Sequence, residues 1–227
     1  MIFYNEKQAV EVCIKNPKLI FELIKEGYIE VVDKVLEKDK NLINTIDDNG
    51  NSVMMKLLLK KQYDIVLKHM KNEKWDVNFR NDEGNTFSHI LVVSDYLKVS
   101  KIFDRLVKNK KFIPNIRNNK NQTILDRALL SNELLMATKI LKNRRFNNID
   151  ILSFKYMYDK YIMNSFYGKY TKINNFDIII SNLEKKDSLK PRMKKLLYLI
   201  KNNIDDIKKE ILNNQYNNMY LIIESVV

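Results

Sequence analysis

The stretch Asn81 to Leu91, "NDEGNTFSHIL", decides how the rest of the chain is read. Asn81, Asp82, Glu83 and Gly84 are turn formers, each for its own backbone reason. Thr86 follows, and then an apolar run containing His89. A threonine placed between a turn and an apolar run is a helix N-cap, its oxygen free to accept from an amide three residues on. The alternative is an active-site loop with a catalytic histidine. Repetition decides between the two.

Two other segments align with this one. Asn44 to Leu58 reads "NTIDDNGNSVMMKLL", Asn78 to Val92 reads "NFRNDEGNTFSHILV", and Asn115 to Leu129 reads "NIRNNKNQTILDRAL". Each opens on Asn. Six residues on stands Gly50, Gly84 or Asn121, types that tolerate a left-handed backbone. Two further on stands Ser52, Thr86 or Thr123, and an apolar stretch follows. The starts lie 34 and 37 residues apart, within the roughly 20–50 residue window of stacked repeats.

Each phrase predicts a short apolar helix ("VMMKLLLK", "FSHILVVS", "ILDRALLS"), a polar break, and a second amphipathic helix ("YDIVLKHMKN", "LKVSKIFDRLVKN", "LLMATKILKN"). The breaks are Lys61-Gln62, Asp95-Tyr96 and Asn132-Glu133. At the third position of the helix, Asp126 can reach back in a capping-box manner, and His89 is the equivalent residue of the preceding copy.

With those residues in place, the chain resembles ankyrin repeat proteins. The family unit carries a D-x-x-G-x-T-P-L-H-x-A-A signature, a G-H break and an A-D-V-N tail. Matching positions are Gly50 and Gly84, then Ser52, Thr86 and Thr123, then Met54 and Leu125, then His89; Asp76-Val77-Asn78 matches the tail. Upstream, "IFELIKEGYIEVVDKVLEKDKNLIN" is similar to the second half of a unit, with Gly27 at the break. The resemblance covers about residues 17–147. Proline of the signature is replaced by Val53, Phe87 and Ile124, and the small alanines by Leu57, Leu58, Leu91 and Val92, with Ala128 retained.

The resemblance implies an all-α repeat fold, an ankyrin-type solenoid of helix-turn-helix units joined by hairpin loops, with a helical C-terminal cap or extension. The units run about 10–43, 44–77, 78–114 and 115–147, making residues 1–147 a repeat domain and 148–227 a helical region that caps the stack. His89 takes the family's structural position. The resemblance further implies a non-enzymatic protein–protein interaction module. Its contacts would come from hairpin tips, here Asp48, Asn49 and Asn51, then Arg80, Asp82, Glu83 and Asn85, then Arg117, Asn119, Lys120 and Gln122. Inner-helix positions add Lys56, Leu59 and Lys60, then Ile90 and Val93, then Arg127 and Leu130.

In the last third, the aromatic run Phe154, Tyr156, Tyr158, Tyr161, Phe166, Tyr167 and Tyr170 suits either capping helices or a separate partner-binding module. Met193, Leu196, Leu197, Ile200, Ile204, Ile207 and Ile211 keep a helical period.

Composition bounds the remaining functions. At 227 residues the chain can bury a real core. Its longest apolar runs fall far short of a membrane span, and no basic-then-apolar leader opens it. The single cysteine, Cys13, excludes an intrachain disulfide and a multi-cysteine metal site. No phosphate-cradling glycine loop and no Ser/His/Asp or Cys/His constellation is present, so no catalytic, cofactor or metal residues are expected. The chain reads as a cytoplasmic monomer, with a protein of the surrounding cell or of a host as partner, one bearing an acidic patch.

A net charge of +12 supports an alternative, a basic surface for nucleic acid or anionic lipid. Its residues would be Lys108, Lys110, Lys111, Arg144, Arg145, Lys185, Lys186, Lys190, Arg192, Lys194 and Lys195. Against it, the excess is nearly all lysine and is spread out, with 27 basic and 19 acidic residues before residue 148 and 13 and 9 after. Lysine, asparagine, isoleucine and tyrosine are enriched together, as A/T-rich codons would write them.

Overall fold

A computed structural model describes residues 6–94, 96–131 and 133–146, together with Lys194 and Tyr198. The expectations for the aromatic run and for the periodic stretch from Met193 onward therefore lie outside the described residues. Two compact units divide the chain, 1–123 and 124–227. The described residues are helical, and their only β pairing is an isolated antiparallel bridge between Ile46 and Ser52.

In the first unit the helices come in pairs. α1 (Glu6–Lys15) precedes them and packs on α3. α2 (Leu19–Glu26) and α3 (Ile29–Lys38) form one pair, α4 (Val53–Leu59) and α5 (Tyr63–His69) the next, and α6 (Phe87–Leu91) and α7 (Tyr96–Leu106) the third. α4 touches α2 on one side and α6 on the other, while α5 lies against both α3 and α7. The first members of the pairs thus form one row and the second members another.

Local chemistry sets the helix ends. α2 stops at Gly27, whose left-handed φ of 85° turns the chain so that the Tyr28 amide reaches the carbonyl of Leu23 at 2.9 Å. That backbone region carries no Cβ penalty for glycine. α4 starts at Ser52, whose hydroxyl accepts from the Met55 amide at 3.4 Å. α6 is only five residues long, shorter than its apolar run suggests. Ser94 Oγ donates to the carbonyl of Ile90 at 3.2 Å, helping to close the helix there.

The core follows from spacing. Val32, Val35 and Leu36 of α3 and Val99, Ile102, Phe103 and Leu106 of α7 are buried at i, i+3, i+4 and i+7 positions. On the short helices almost every side chain is buried, including Met54, Met55, Leu57 and Leu58 of α4 and Phe87, Ile90 and Leu91 of α6. α4 has a helix on either side, α2 and α6, and α5 behind it, which explains why its sequence is apolar apart from Lys56. The bulky residues Leu57, Leu58, Leu91 and Val92 are all buried. In the second unit, α8 (Ile124–Leu130) packs on α9 (Leu134–Lys142), with Ala128, Met136, Ala137 and Ile140 fully buried.

Trp75, the only tryptophan of the chain, is 2% exposed and meets Phe87 edge-on, ring centroids 5.1 Å apart. Its emission is therefore a reporter of this core. Phe87→Ala leaves a ring-sized cavity beside it and should cost about 3–5 kcal/mol. The checks are urea unfolding and a red shift of the Trp75 emission maximum; an unshifted spectrum would place Trp75 in a different environment.

Candidate interaction surface

Three turns of the first unit are built by one device. Asp47 Oδ1 accepts from the amides of Asn49 (3.0 Å) and Asn51 (2.8 Å). Asn81 Oδ1 does the same for Glu83 (3.1 Å) and Asn85 (2.9 Å), and Asn118 Oδ1 for Lys120 (3.0 Å) and Gln122 (2.9 Å). A short carbonyl-bearing side chain that bonds its own backbone two residues on stabilises a turn locally. In each case the third residue onward, Gly50, Gly84 or Asn121, is left-handed at φ 69°, 72° and 58°. Its amide returns to the carbonyl of the residue that started the turn.

The turns are also tied to one another. Asn81 Nδ2 donates to Asn51 Oδ1, and Asn118 Nδ2 donates to Asn85 Oδ1, both at 2.8 Å. Between the second and third turns, Asn119 donates its amide to Glu83 O (3.0 Å) and its Nδ2 to Asp82 O (2.8 Å), while Arg80 Nη2 donates to Asn119 Oδ1 (3.2 Å). Nearer the helices, Asn44 spans two backbone groups of the following loop, donating to Lys74 O and accepting from the Asp76 amide. Asn78 repeats this with Lys111 O and the Ile113 amide.

His89 belongs to the same scaffold. It is fully buried, its Nδ1 accepts from the Thr86 amide (3.1 Å), and its Nε2 lies 2.9 Å from Gln122 O. A backbone N–H on one ring nitrogen and a carbonyl on the other fix the tautomer with the proton on Nε2. The ring links one turn to the next and is closed to solvent. His69 is also occupied, its Nε2 lying 2.7 Å from Asp33 Oδ1. Burial raises the Asp33 carboxyl, but hydrogen bonds from Lys68 and His69 outweigh it and hold the group below its ordinary value. Burial, aided by the Glu22 charge, pushes the Cys13 thiol up to about 11, which leaves it protonated and unreactive at neutral pH. Among the described residues no three His, Cys, Asp or Glu side chains are grouped to hold a metal, and no helix is long and apolar enough to cross a membrane.

The structure sorts the residues expected to meet a partner. Asp48, Asn49, Leu59, Lys60, Arg80, Asp82, Glu83, Asn119 and Lys120 are exposed. Lys56, Val93, Arg117, Gln122, Arg127 and Leu130 are partly covered, the last two on α8 of the second unit. Asn51, Asn85 and Ile90 are buried, and the first two spend their side chains on the neighbouring turn. Arg80 and Arg117 are held in place by bonds to Gly84 O and Asn121 O.

A groove of about 400 Å³ runs between α2, the first turn and α4. Lys56 and Lys60 line it with Asp47, Asp48 and Asn49, and Phe21, Glu22 and Lys25 supply the α2 wall. Those last three were not expected from the sequence. Their signal is the i, i+1, i+4 spacing on the helix that precedes the first turn. Lys56 Nζ pairs with Asp47 Oδ2 at 2.8 Å, and Lys18 with Asp48 at 3.2 Å. Desolvation raises Asp47, but Lys56 and the bonds from Asn51 and Asn49 outweigh it, so its carboxyl titrates below the ordinary range.

No protein-family model matches this chain, and no curated protein matches it.

Two outcomes test the scaffold. Gly84→Ala places a Cβ at a left-handed φ and 2.7 Å from the Asn119 amide nitrogen. We expect a loss of about 1–3 kcal/mol, against a near-neutral Asn121→Gly, measured by thermal melts. For Asp47, a lowered folded pKa means its contribution is complete above the unfolded carboxylate value and is lost as pH falls through the folded one. Asp47→Asn keeps the turn, since Asn81 and Asn118 do the same job elsewhere. It should flatten the acid limb of a stability–pH curve and cost at most about 1–2 kcal/mol at pH 7; an unchanged acid limb would contradict this.

Proposed function

We propose that this chain is an ankyrin-type repeat protein, its helix pairs stacked as a solenoid, that works as a non-enzymatic protein–protein interaction module. The observation that carries the reading is the three equivalent turns, bonded identically within themselves and tied side by side. Their spacing in sequence matches the phrase that resembles the family, and His89 lies where that resemblance places it. The rows formed by α2, α4, α6 and by α3, α5, α7 support the same reading.

The turns hold Asp48, Asn49, Asp82, Glu83, Asn119 and Lys120 outward on a backbone already ordered by internal hydrogen bonds. A partner that docks there meets side chains whose ordering cost was met on folding, which favours affinity per unit of contact. The surface is mixed in sign. Lys25 and Lys60 stand exposed beside the groove, whereas Lys56 is neutralised by Asp47. An acidic or amphipathic segment of a partner protein fits that arrangement, with Phe21 and Leu59 offering apolar contact. We place this module in the cytoplasm as a monomer; the lone, buried and unactivated cysteine suits a reducing compartment.

The test is affinity capture from cell lysate with the full chain and with a Lys60→Glu/Lys120→Glu variant. Both lysines are exposed and have no side-chain bond to another described residue, so the melting temperature should stay within about 2 °C of the parent. Capture of the specific partner should fall at least tenfold, about 1.4 kcal/mol. Undiminished capture by the variant would remove the turn-and-groove face from the interaction.

A further inference from the structure

We propose that the outer face of α7 and the loop after it form a second binding surface, one that takes the phosphate backbone of a nucleic acid without reading its sequence. This inference is independent of the protein-binding reading. It rests on how charge is distributed among described residues of the first unit.

Lys98, Lys101, Arg105 and Lys108 are spaced three, four and three residues apart and are all exposed. On a helix the spacing of Lys98, Lys101 and Arg105 puts them on one face, and Lys108 follows in the turn after α7. Val99, Ile102, Phe103 and Leu106 take the opposite face into the core. The row is therefore a single solvent-facing stripe. At ~1.5 Å of rise per residue its helical part, from Lys98 to Arg105, is about 10 Å long. The like charges of α7 repel one another at these spacings, offset in part by Asp104 on the same helix.

Neighbouring elements treat their lysines differently. Lys68 on α5 is pinned between Asp33 at 2.5 Å and Glu37 at 2.7 Å on α3. Lys98, Lys101 and Lys108 have no carboxylate partner among the described residues, although Asp104 stands on the same helix. Arg105 is held by a bond from Nη1 to Leu67 O at 2.7 Å. A neutral carbonyl orients the guanidinium without cancelling its charge.

The stripe continues beyond the helix. Lys111 Nζ donates to Glu73 O at 3.0 Å, and Asn78 Nδ2 donates to Lys111 O at 2.7 Å. The loop after α7 is thereby fastened to the loop that carries Lys71 and Lys74, both exposed. That loop also carries Glu73 and Asp76, both exposed, so the charge added beyond the helix is that of Lys110 and Lys111, likewise exposed.

The form of the charge selects the ligand. A row of cationic side chains can follow the phosphates of one strand, which carries one charge per ~3.4 Å of duplex axis. Lysine is a point charge rather than a planar fork, suited to backbone contacts and not to base edges. A membrane surface would call for apolar side chains to insert. On α7, Leu97 at 82% exposure is the one large apolar side chain facing solvent.

The experiment is fluorescence anisotropy of a labelled 20-base-pair duplex of arbitrary sequence, titrated with the full chain between about 50 and 200 mM salt. With ~4 phosphate contacts, the slope of log K against log salt should be about −3.5. Lys98→Glu/Lys101→Glu/Lys108→Glu should weaken binding at least tenfold and make the slope shallower. The control Lys25→Glu/Lys60→Glu/Lys120→Glu changes net charge equally and should weaken it less than threefold. Circular dichroism melts verify that both are folded. Should the glutamate variant unfold, Lys98→Gln/Lys101→Gln/Lys108→Gln takes its place with a loss of about threefold or more. Equal losses in stripe and control variants, no duplex binding at the lowest salt, or tighter binding to phosphatidylserine vesicles than to the duplex would each overturn the proposal.

Discussion

One side-chain carbonyl, held by two backbone amides two and four residues further on, sets the geometry of the first unit. It occurs at Asp47, Asn81 and Asn118, and each time it forces the intervening residue into the left-handed region. The turns that precede α4, α6 and α8 depend on this closure. It brings the side chain at the fifth position of one turn under the Asx side chain of the next. It also places the hydroxyl residue that follows at the start of a short helix. Helices of five to seven residues are marginal in isolation. Their persistence here comes from the burial of most of their side chains and from a start point that the turn has already fixed.

Packing alone would not keep the helix pairs in register, because apolar surfaces can slide. The polar ties supply what the core lacks. Asn44 and Asn78 each grip two backbone groups of a loop about 30 residues on, and His89 bridges from the Thr86 amide to Gln122. These bonds are directional, and several are buried, where an unmade partner is expensive. They define one alignment out of the many that the leucines and methionines would tolerate.

Much of this was legible in the sequence, for a physical reason. Helix propensity, capping and left-handed tolerance are local, so Ser52, Thr86, Gly50, Gly84 and the helices after them could be read from spacing. So could the structural place of His89 at the third position of α6. What could not be read were the relations between residues some 30 positions apart. Asn51 and Asn85 look like solvent-facing tip residues, yet each is the acceptor for an asparagine of the next turn. Ile90 falls on the helix face expected to be open but is buried. Phe21, Glu22 and Lys25 carry no such local signal, because α2 has no turn of this kind ahead of it. The stripe on α7 was present as composition but not as a surface, since net charge does not tell which lysines are already neutralised.

The chain of asparagine amides has a direction. Asn81 and Asn118 each donate backward to the turn before, and the first turn carries Asp47 instead, a side chain with no amide to donate. No turn of this kind lies before it among the described residues. Its second oxygen takes Lys56 and Asn51 Nδ2 instead. An asparagine there would leave an N–H pair facing nothing of the kind its successors meet. The aspartate thus acts as an end-stop, and a single oxygen-for-nitrogen exchange marks where the polymer-like series of turns begins.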